Sequence, residues 1–277
     1  MKIFLTGGTG FIGSHFINQA HEAGHEIVAH RRAPESRSRI PLCREPQWLD
    51  KSIDSLAPAD FTGCEVLVHL AAHSANVPYD TLENCIRQNV LAPLAMFRAA
   101  SGAGLKRFVV AGSCFEYGRS GERHEFIPPD AGLEPVSSYP ASKAAASVAF
   151  HSLACEEKLE LLILRIFQVF GEGELETRFW PSLRKAALAG EDFPMSPGLQ
   201  VRDFINVTEV AAGFVKALER KDLRPGEPVI ENLGSGNPRS LIEFAKAEWH
   251  NLGATGKLLP GAVPMRANEV MRFVPVV

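Results

Sequence analysis

The residues best suited to chemistry stand together in Ser138-Tyr139-Pro140-Ala141-Ser142-Lys143. Tyr139 and Lys143 are four apart, which puts both side chains on one face of a helix that begins here. Pro140 in the first turn suits a helix start. A tyrosine titrates near 10 and a useful general acid–base near 7. Phenolate must therefore be favoured by about 3 units, or roughly 4 kcal/mol. An adjacent ammonium supplies part of that. A third partner, a hydroxyl to hold the reacting oxygen, is expected from Ser113. It follows a predicted strand over Arg107–Ala111, at the end where open α/β sheets bind ligands. Tyr-x-x-x-Lys alone is a common helical spacing, so its weight comes from a second motif.

That motif is Thr6-Gly7-Gly8-Thr9-Gly10-Phe11-Ile12-Gly13, between a first strand (Lys2–Thr6) and a helical pattern from Phe11 to about Ala23. Gly7 permits a tight turn, Gly10 lets backbone approach a pyrophosphate, and Gly13 lets helix and strand pack closely. The helix start, with Phe11 and Ile12, offers free N–H groups and a positive dipole end to phosphate. A dinucleotide cofactor is the expected ligand, and its charged nicotinamide completes the lowering of the Tyr139 pKa. The next strand, His25–Ala29, runs into His30-Arg31-Arg32, with no acid until Glu35. A carboxylate there would bind an NAD ribose, whereas Arg31 and Arg32 suit a 2′-phosphate. NADP is the expected cofactor, with NAD the alternative.

The elements that position these residues alternate. Strands are predicted at Glu65–Leu70, Arg107–Ala111 and Leu161–Ile166, and helices from near Asp80 to Ala103 and after Pro140. This rhythm predicts an α/β fold, a Rossmann-type doubly wound parallel sheet covered on both faces. After Gly171 the rhythm changes. Helices are expected at Pro181–Ala189, Thr208–Glu219 and Leu241–His250, and strands at Val201–Val207 and Val229–Leu233. We expect a dinucleotide-binding domain over 1–170. A smaller C-terminal α/β substrate lobe over 171–277 is expected to be partly interleaved with it.

Composition excludes several function classes. Of 277 residues, 45% are hydrophobic and 22% charged, as in ordinary globular proteins rather than disordered chains. A net charge of −3 lacks the basic excess of a nucleic-acid binder. No apolar run approaches the roughly 18 residues of a membrane span, and glycine comes too early for a signal-peptide core. Five scattered cysteines with no C-x-x-C pair exclude a disulfide framework or zinc site and suggest a reducing cytoplasm. His69 and His73 are not expected to bind metal, for want of further ligands.

Further segments support a family reading. These are His69-Leu70-Ala71-Ala72, Asn89, Ser113 with Tyr117-Gly118, Arg165-Ile166-Phe167-Gln168-Val169-Phe170-Gly171, Val201-Arg202-Asp203-Phe204 and Asn232-Leu233-Gly234-Ser235-Gly236. With the two motifs above, the chain resembles the extended short-chain dehydrogenase/reductase family over nearly its whole length, in its sugar-nucleotide epimerase/dehydratase/reductase branch. The resemblance implies that Tyr139 is the acid–base, that Lys143 holds the cofactor ribose and lowers the Tyr139 pKa, and that Ser113 binds the reacting oxygen. It implies that Leu70, Ala71 and Ala72 line the cofactor path, and that Phe167 and Gln168 sit beside nicotinamide and sugar. It places Arg202, Arg266 and Glu269 on a nucleotide-diphosphate sugar. Cys114 lies beside the expected substrate, where a small packing role outweighs a reactive thiol. Phe179 and Trp180 suit either a base-stacking role or the lobe core. A homodimer through helices near Leu82–Ala103 and Ala141–Glu156 is implied too. The family commonly continues beyond the Arg266–Glu269 segment into another helix, whereas this sequence ends at Val277.

Departures from the family pattern narrow the reaction. Its 4,6-dehydratases carry an Asp-Glu pair after the active-site hydroxyl, where this chain has Cys114-Phe115. Glu116, one place later, faces away if the segment is extended. The absence of an acid near Arg31 argues against an epimerase that retains NAD. Ser113-Cys114-Phe115-Glu116-Tyr117-Gly118 most resembles reductases of nucleotide-linked 4-keto-6-deoxysugars. NADPH-dependent reduction of a 4-keto group is therefore the first expectation. The alternatives are an NAD-dependent sugar-nucleotide 4-epimerase and a non-enzymatic NADP(H)-binding protein on this fold.

Overall fold

A computed structural model describes residues 1–265 and 269–277. In chain order the strands begin with β1 (Lys2–Thr6), β2 (Glu26–Arg31), β3 (Gln47–Asp50), β4 (Val66–His69), β5 (Arg107–Ser113), β6 (Glu160–Ile166) and β7 (Gln168–Phe170). They continue with β8 (Phe193–Met195), β9 (Val201–Asn206), β10 (Val229–Leu233), β11 (Pro238–Ser240), β12 (Leu258–Pro260) and β13 (Arg272–Phe273). The α-helices are α1 (Phe11–Glu22), α2 (Leu82–Ile86), α3 (Ala92–Gly102), α4 (Ser138–Glu157), α5 (Phe179–Ala189), α6 (Val207–Ala217) and α7 (Leu241–Asn251).

Seven strands form one parallel sheet, in the order β10-β6-β5-β4-β1-β2-β3. Runs such as Val66–His69 and Leu161–Ile166 are buried because helices cover both faces. Phe16 and Ile17 of α1 pack with Val210 and Phe214 of α6 on one face, while Met96 and Phe97 of α3 pack with Phe150 and Leu153 of α4 on the other. Strand order reverses at β1, and a ligand cleft forms outside the carboxyl ends at such a switch point. Thr6, His69 and Ser113 end strands on that edge.

Elements after residue 170 contribute to both layers. Strand β10 pairs with β6 in the main sheet, and α6 packs on α1. The remaining elements make a smaller layer, in which β7, β9, β11 and β13 form a second sheet and α5 and α7 pack around Leu183, Met195 and Trp249.

The helix expected from Asp80 to Ala103 is interrupted by a π-helical turn over Arg87–Leu91. Pro93 has no N–H for the Asn89 carbonyl, and a π register relieves that mismatch. The turn aims Asn89 at the site, where its Nδ2 donates to Ser142 Oγ (2.9 Å) and His73 O (3.1 Å).

Candidate active site

Strand β5 runs two residues past the expected end and delivers Ser113 at its tip. The chain then turns into a 3-10 helix over Cys114–Tyr117 rather than an extended segment. Ser113 caps that turn, its Oγ accepting the Phe115 N–H at 3.3 Å. Helix α4 brings up Tyr139 and Lys143, both buried. The Tyr139 hydroxyl hydrogen-bonds the Ser113 side chain. Lys143 Nζ donates to the Ala111 carbonyl at 2.6 Å, on the same strand. Serine, tyrosine and lysine thus form one cluster.

Burial governs the electrostatics of the cluster. Burial pushes the Tyr139 phenol above its ordinary value, the Glu116 charge adds to this, and the Ser113 hydrogen bond opposes it. Burial also lowers the Lys143 pKa, against the pull of Glu116. The phenolate needs a positive charge from a bound ligand.

The glycine turn has the expected form. Gly7 has φ +79°, and a Cβ there would meet Ala71 N at 2.6 Å. A Cβ on Gly13 would overlap the Gly7 carbonyl. Leu70 and Ala71 are therefore pressed against the turn. Helix α1 starts at Phe11 after Gly10, with no side-chain cap on its first N–H groups. This cradle fits a dinucleotide pyrophosphate.

At the end of β2, tertiary structure supplies the acid that is missing along the chain. Strand β3 pairs with β2 so that Asp50 lies beside Arg31. Arg31 Nε donates to Asp50 Oδ1 at 2.5 Å, and the guanidinium lies 4.9 Å from the Trp48 ring centroid. Arg32 is exposed.

A cavity of about 670 Å³ opens beside the cluster. Tyr79, Phe115 and Gln168 line it, and the Tyr79 ring lies 5.5 Å from that of Tyr139. Arg202 and Glu269 also line it, as an ion pair of 2.7 Å. Arg266 lies outside the described residues.

Residues 3–234 match the model of the NAD dependent epimerase/dehydratase family. The chain belongs to this family. It is an NAD(P)-dependent enzyme of the extended short-chain dehydrogenase/reductase type. The UDP-glucose 4-epimerase of Corynebacterium glutamicum is 26% identical to it over 97% of this chain and 85% of the relative. The solved structure of MoeE5 in complex with UDP-glucuronic acid and NAD superposes with a TM-score of 0.84 at 26% identity, covering 100% and 90% of the two chains. A UDP-glucose 4-epimerase from Thermotoga maritima, solved with UDP-glucose, superposes with a TM-score of 0.86 at 22% identity, over 100% and 90%, a likeness of fold.

Two of the expected contact residues are buried. Cys114 and Phe167 pack with Tyr117, Ile127 and Phe273 in a buried cluster, while their neighbours Phe115 and Gln168 face the cavity. Burial pushes the Cys114 thiol up to about 12, and the side chain packs within that cluster. His69 is likewise a core residue: burial pushes its pKa down to about 3, and its Nδ1 lies 2.7 Å from Thr6 Oγ1. No group of metal-ligating side chains occurs among the described residues, and none of their helices is long and apolar enough to cross a membrane.

The cavity wall also holds residues that motif reading missed. Glu174 has a side chain only 7% exposed, 3.4 Å from Arg178, and its Oε2 has no partner among the described residues. Burial pushes this carboxyl up to about 7, against the opposing Arg178 charge. Gln200 Oε1 is likewise buried and unpartnered. Two idle acceptors in one cavity suit a ligand rich in hydroxyl or N–H donors. Arg178 precedes the first turn of α5 and donates to Asn76 Oδ1 at 3.2 Å. Phe179 and Trp180 stand between the cavity and the lobe. They line the cavity, while Phe179 also packs in the lobe core.

Proposed function

We propose that this protein is a sugar-nucleotide 4-epimerase that works with retained NAD. The observation that carries the reading is the Asp50 carboxylate at the end of β3, clamped to Arg31. A carboxylate there repels a 2′-phosphate and accepts from ribose hydroxyls, and it occupies the guanidinium that a 2′-phosphate would need. The UDP-glucose 4-epimerases among the relatives support the same reading.

The chain's residues divide the work as follows. The backbone around Gly7 and the start of α1 hold the pyrophosphate, and Lys143 stands by the ribose. Ser113 holds the sugar O4. Tyr139 Oη takes the O4 proton as the alcohol is oxidised and returns it when the carbonyl is reduced. When bound, NAD supplies the hydride acceptor and then the hydride donor at C4. Inversion requires the 4-keto sugar to present its other face, and the cavity gives it room to turn. Arg202 and Arg178 meet the diphosphate, and Glu174 and Gln200 accept from ligand donors. The exposed Leu82, Leu91 and Val148 support a homodimer across α2, the π-helical turn and α4.

The test is to purify the protein without added cofactor, identify what it releases on denaturation, and follow UDP-glucose by NMR. Released NAD and conversion to UDP-galactose support the proposal. The exposed Arg32 and the Ser113–Gly118 pattern favour a second reading, 4-keto reduction with NADPH. At least tenfold tighter NADPH, near 1.4 kcal/mol, with stoichiometric NADPH consumption on a 4-keto sugar nucleotide, would establish that reading and sink the epimerase.

A further inference from the structure

Beneath Ser113 lies a charged group that the chemistry above does not use. Glu116 is fully buried. Its Oε1 accepts the Ser113 N–H at 2.8 Å. Its Oε2 accepts from Ser147 Oγ at 2.7 Å and Arg165 Nε at 2.8 Å. Ser147 sits one turn beyond Lys143 on α4. The carboxylate is thus a joint between the tip of β5 and the helix that carries Tyr139 and Lys143. Capping the 3-10 turn, rather than continuing an extended strand, folds Glu116 back into this place.

The partner is anchored as tightly. Arg165 is 3% exposed. Its Nη1 donates to Pro129 O at 2.7 Å and Tyr117 Oη at 3.1 Å, with the guanidinium 4.7 Å from the Tyr117 ring centroid. Tyr117 in turn donates to Asn232 Oδ1 at 2.6 Å. Gly112 keeps the space open, since a Cβ there would meet Arg165 Cγ, Glu116 Oε1 and Ile163 Cγ2, each at 3.0 Å.

Stability alone is a poor reason for this arrangement, because apolar replacements of a buried pair are often equally stable. Its location gives a better one. Tyr139 faces Tyr79, Ser113, Cys114 and Glu116; Lys143 faces His69 and Glu116; Glu116 faces Arg165. Glu116 is the charge common to Tyr139 and Lys143, and it raises the pKa of both.

We propose that Glu116, anchored by Arg165, is a positioning residue that locks Ser113 to helix α4 and sets the charge felt by Tyr139 and Lys143. The inference rests on the catalytic reading of Ser113, Tyr139 and Lys143 given above. Two variants test it in the NAD-loaded protein, Glu116→Gln and the doubly neutral Glu116→Gln/Arg165→Met, which leaves no buried unpaired charge. Both limbs of the kcat/KM pH profile should move to lower pH by about half a unit to one unit, since both groups lose a negative neighbour. Turnover at the optimum should fall at least roughly tenfold as Ser113 loosens, with NAD content unchanged. The double variant carries the test if the single one does not fold. Folded variants that lose thermal stability but keep the wild-type pH profile and turnover would overturn the inference. A readout without sugar substrate separates this inference from the epimerase reading. The chain has three tyrosines, so tyrosinate absorbance, with Tyr139→Phe as the blank, reports Tyr139 directly. Its titration should move to lower pH in both variants, and an unmoved titration refutes the electrostatic role whatever the natural substrate is.

Discussion

Two arginine–carboxylate pairs stand at opposite ends of the central sheet and behave as different materials. In Arg165–Glu116 the side chains are 3% and 0% exposed, and several further groups partner the charged atoms. In Arg31–Asp50 they are 15% and 37% exposed, with the Trp48 ring on one side and solvent on the other. The first pair cannot rearrange without stranding a charge in a low dielectric. The second sits at the solvent edge, where water screens its charges. The difference suggests a division of labour: the buried pair holds the reacting groups in register, and the open pair selects what docks beside it. Glu174–Arg178 is intermediate, with a buried acid on a half-exposed base.

The sharpest test of the buried end is Tyr139→Phe. Turnover should fall by about 10²–10⁴-fold while the protein still purifies with its cofactor, as read by a progress assay and released-NAD analysis. Near-normal turnover would break the assignment. Next in size, Arg165→Met strands the Glu116 carboxylate, and urea denaturation should show a loss of about 3–5 kcal/mol. Arg31→Met, by contrast, should leave the urea midpoint almost unmoved. Equal losses in the two variants would erase the comparison.

Glu174 gives a pH test of the intermediate case. Its folded pKa, about 7, lies above its ordinary 4.5. Its contribution to stability is therefore complete below about 4.5 and is lost as pH rises through about 7. Over that window wild type should lose up to roughly 3 kcal/mol relative to Glu174→Gln, read as paired melting curves at several pH values. Parallel curves would place the carboxyl in a wetter site. The smallest effect is expected at the open pair. Asp50→Asn should weaken NAD by about tenfold, or 1.4 kcal/mol, and narrow any preference over NADP, as measured by titration calorimetry.

Much of this molecule was legible before its structure. The glycine turn, the Tyr139–Lys143 spacing and Ser113 depend on neighbours within a turn or one strand, so local pattern is enough to find them. The main helices and β1, β4 and β6 were legible because buried apolar runs and helical periodicity are strong signals. Strand β3 escaped: it has four residues, sits at the sheet edge and shows no alternation. Missing it hid Asp50 and its register beside Arg31. Phe167 and Cys114 are buried in one cluster, whereas their neighbours Gln168 and Phe115 line the cavity. The geometry of a short turn decides which of two adjacent side chains faces out.

By itself the sequence determined the parallel α/β layering, the phosphate cradle and the identity of the three candidate catalytic groups. Those follow from backbone preferences and periodicities of a few residues. Tertiary structure alone decided which charges meet. Arg31 and Asp50 are 19 residues apart, and Glu116 and Arg165 are 49 apart. Each pair is joined by the register of parallel strands and the packing around them, which no local spacing encodes. Burial then decides the rest, since the same carboxylate that is ordinary in water becomes a fixed charge when the sheet closes over it.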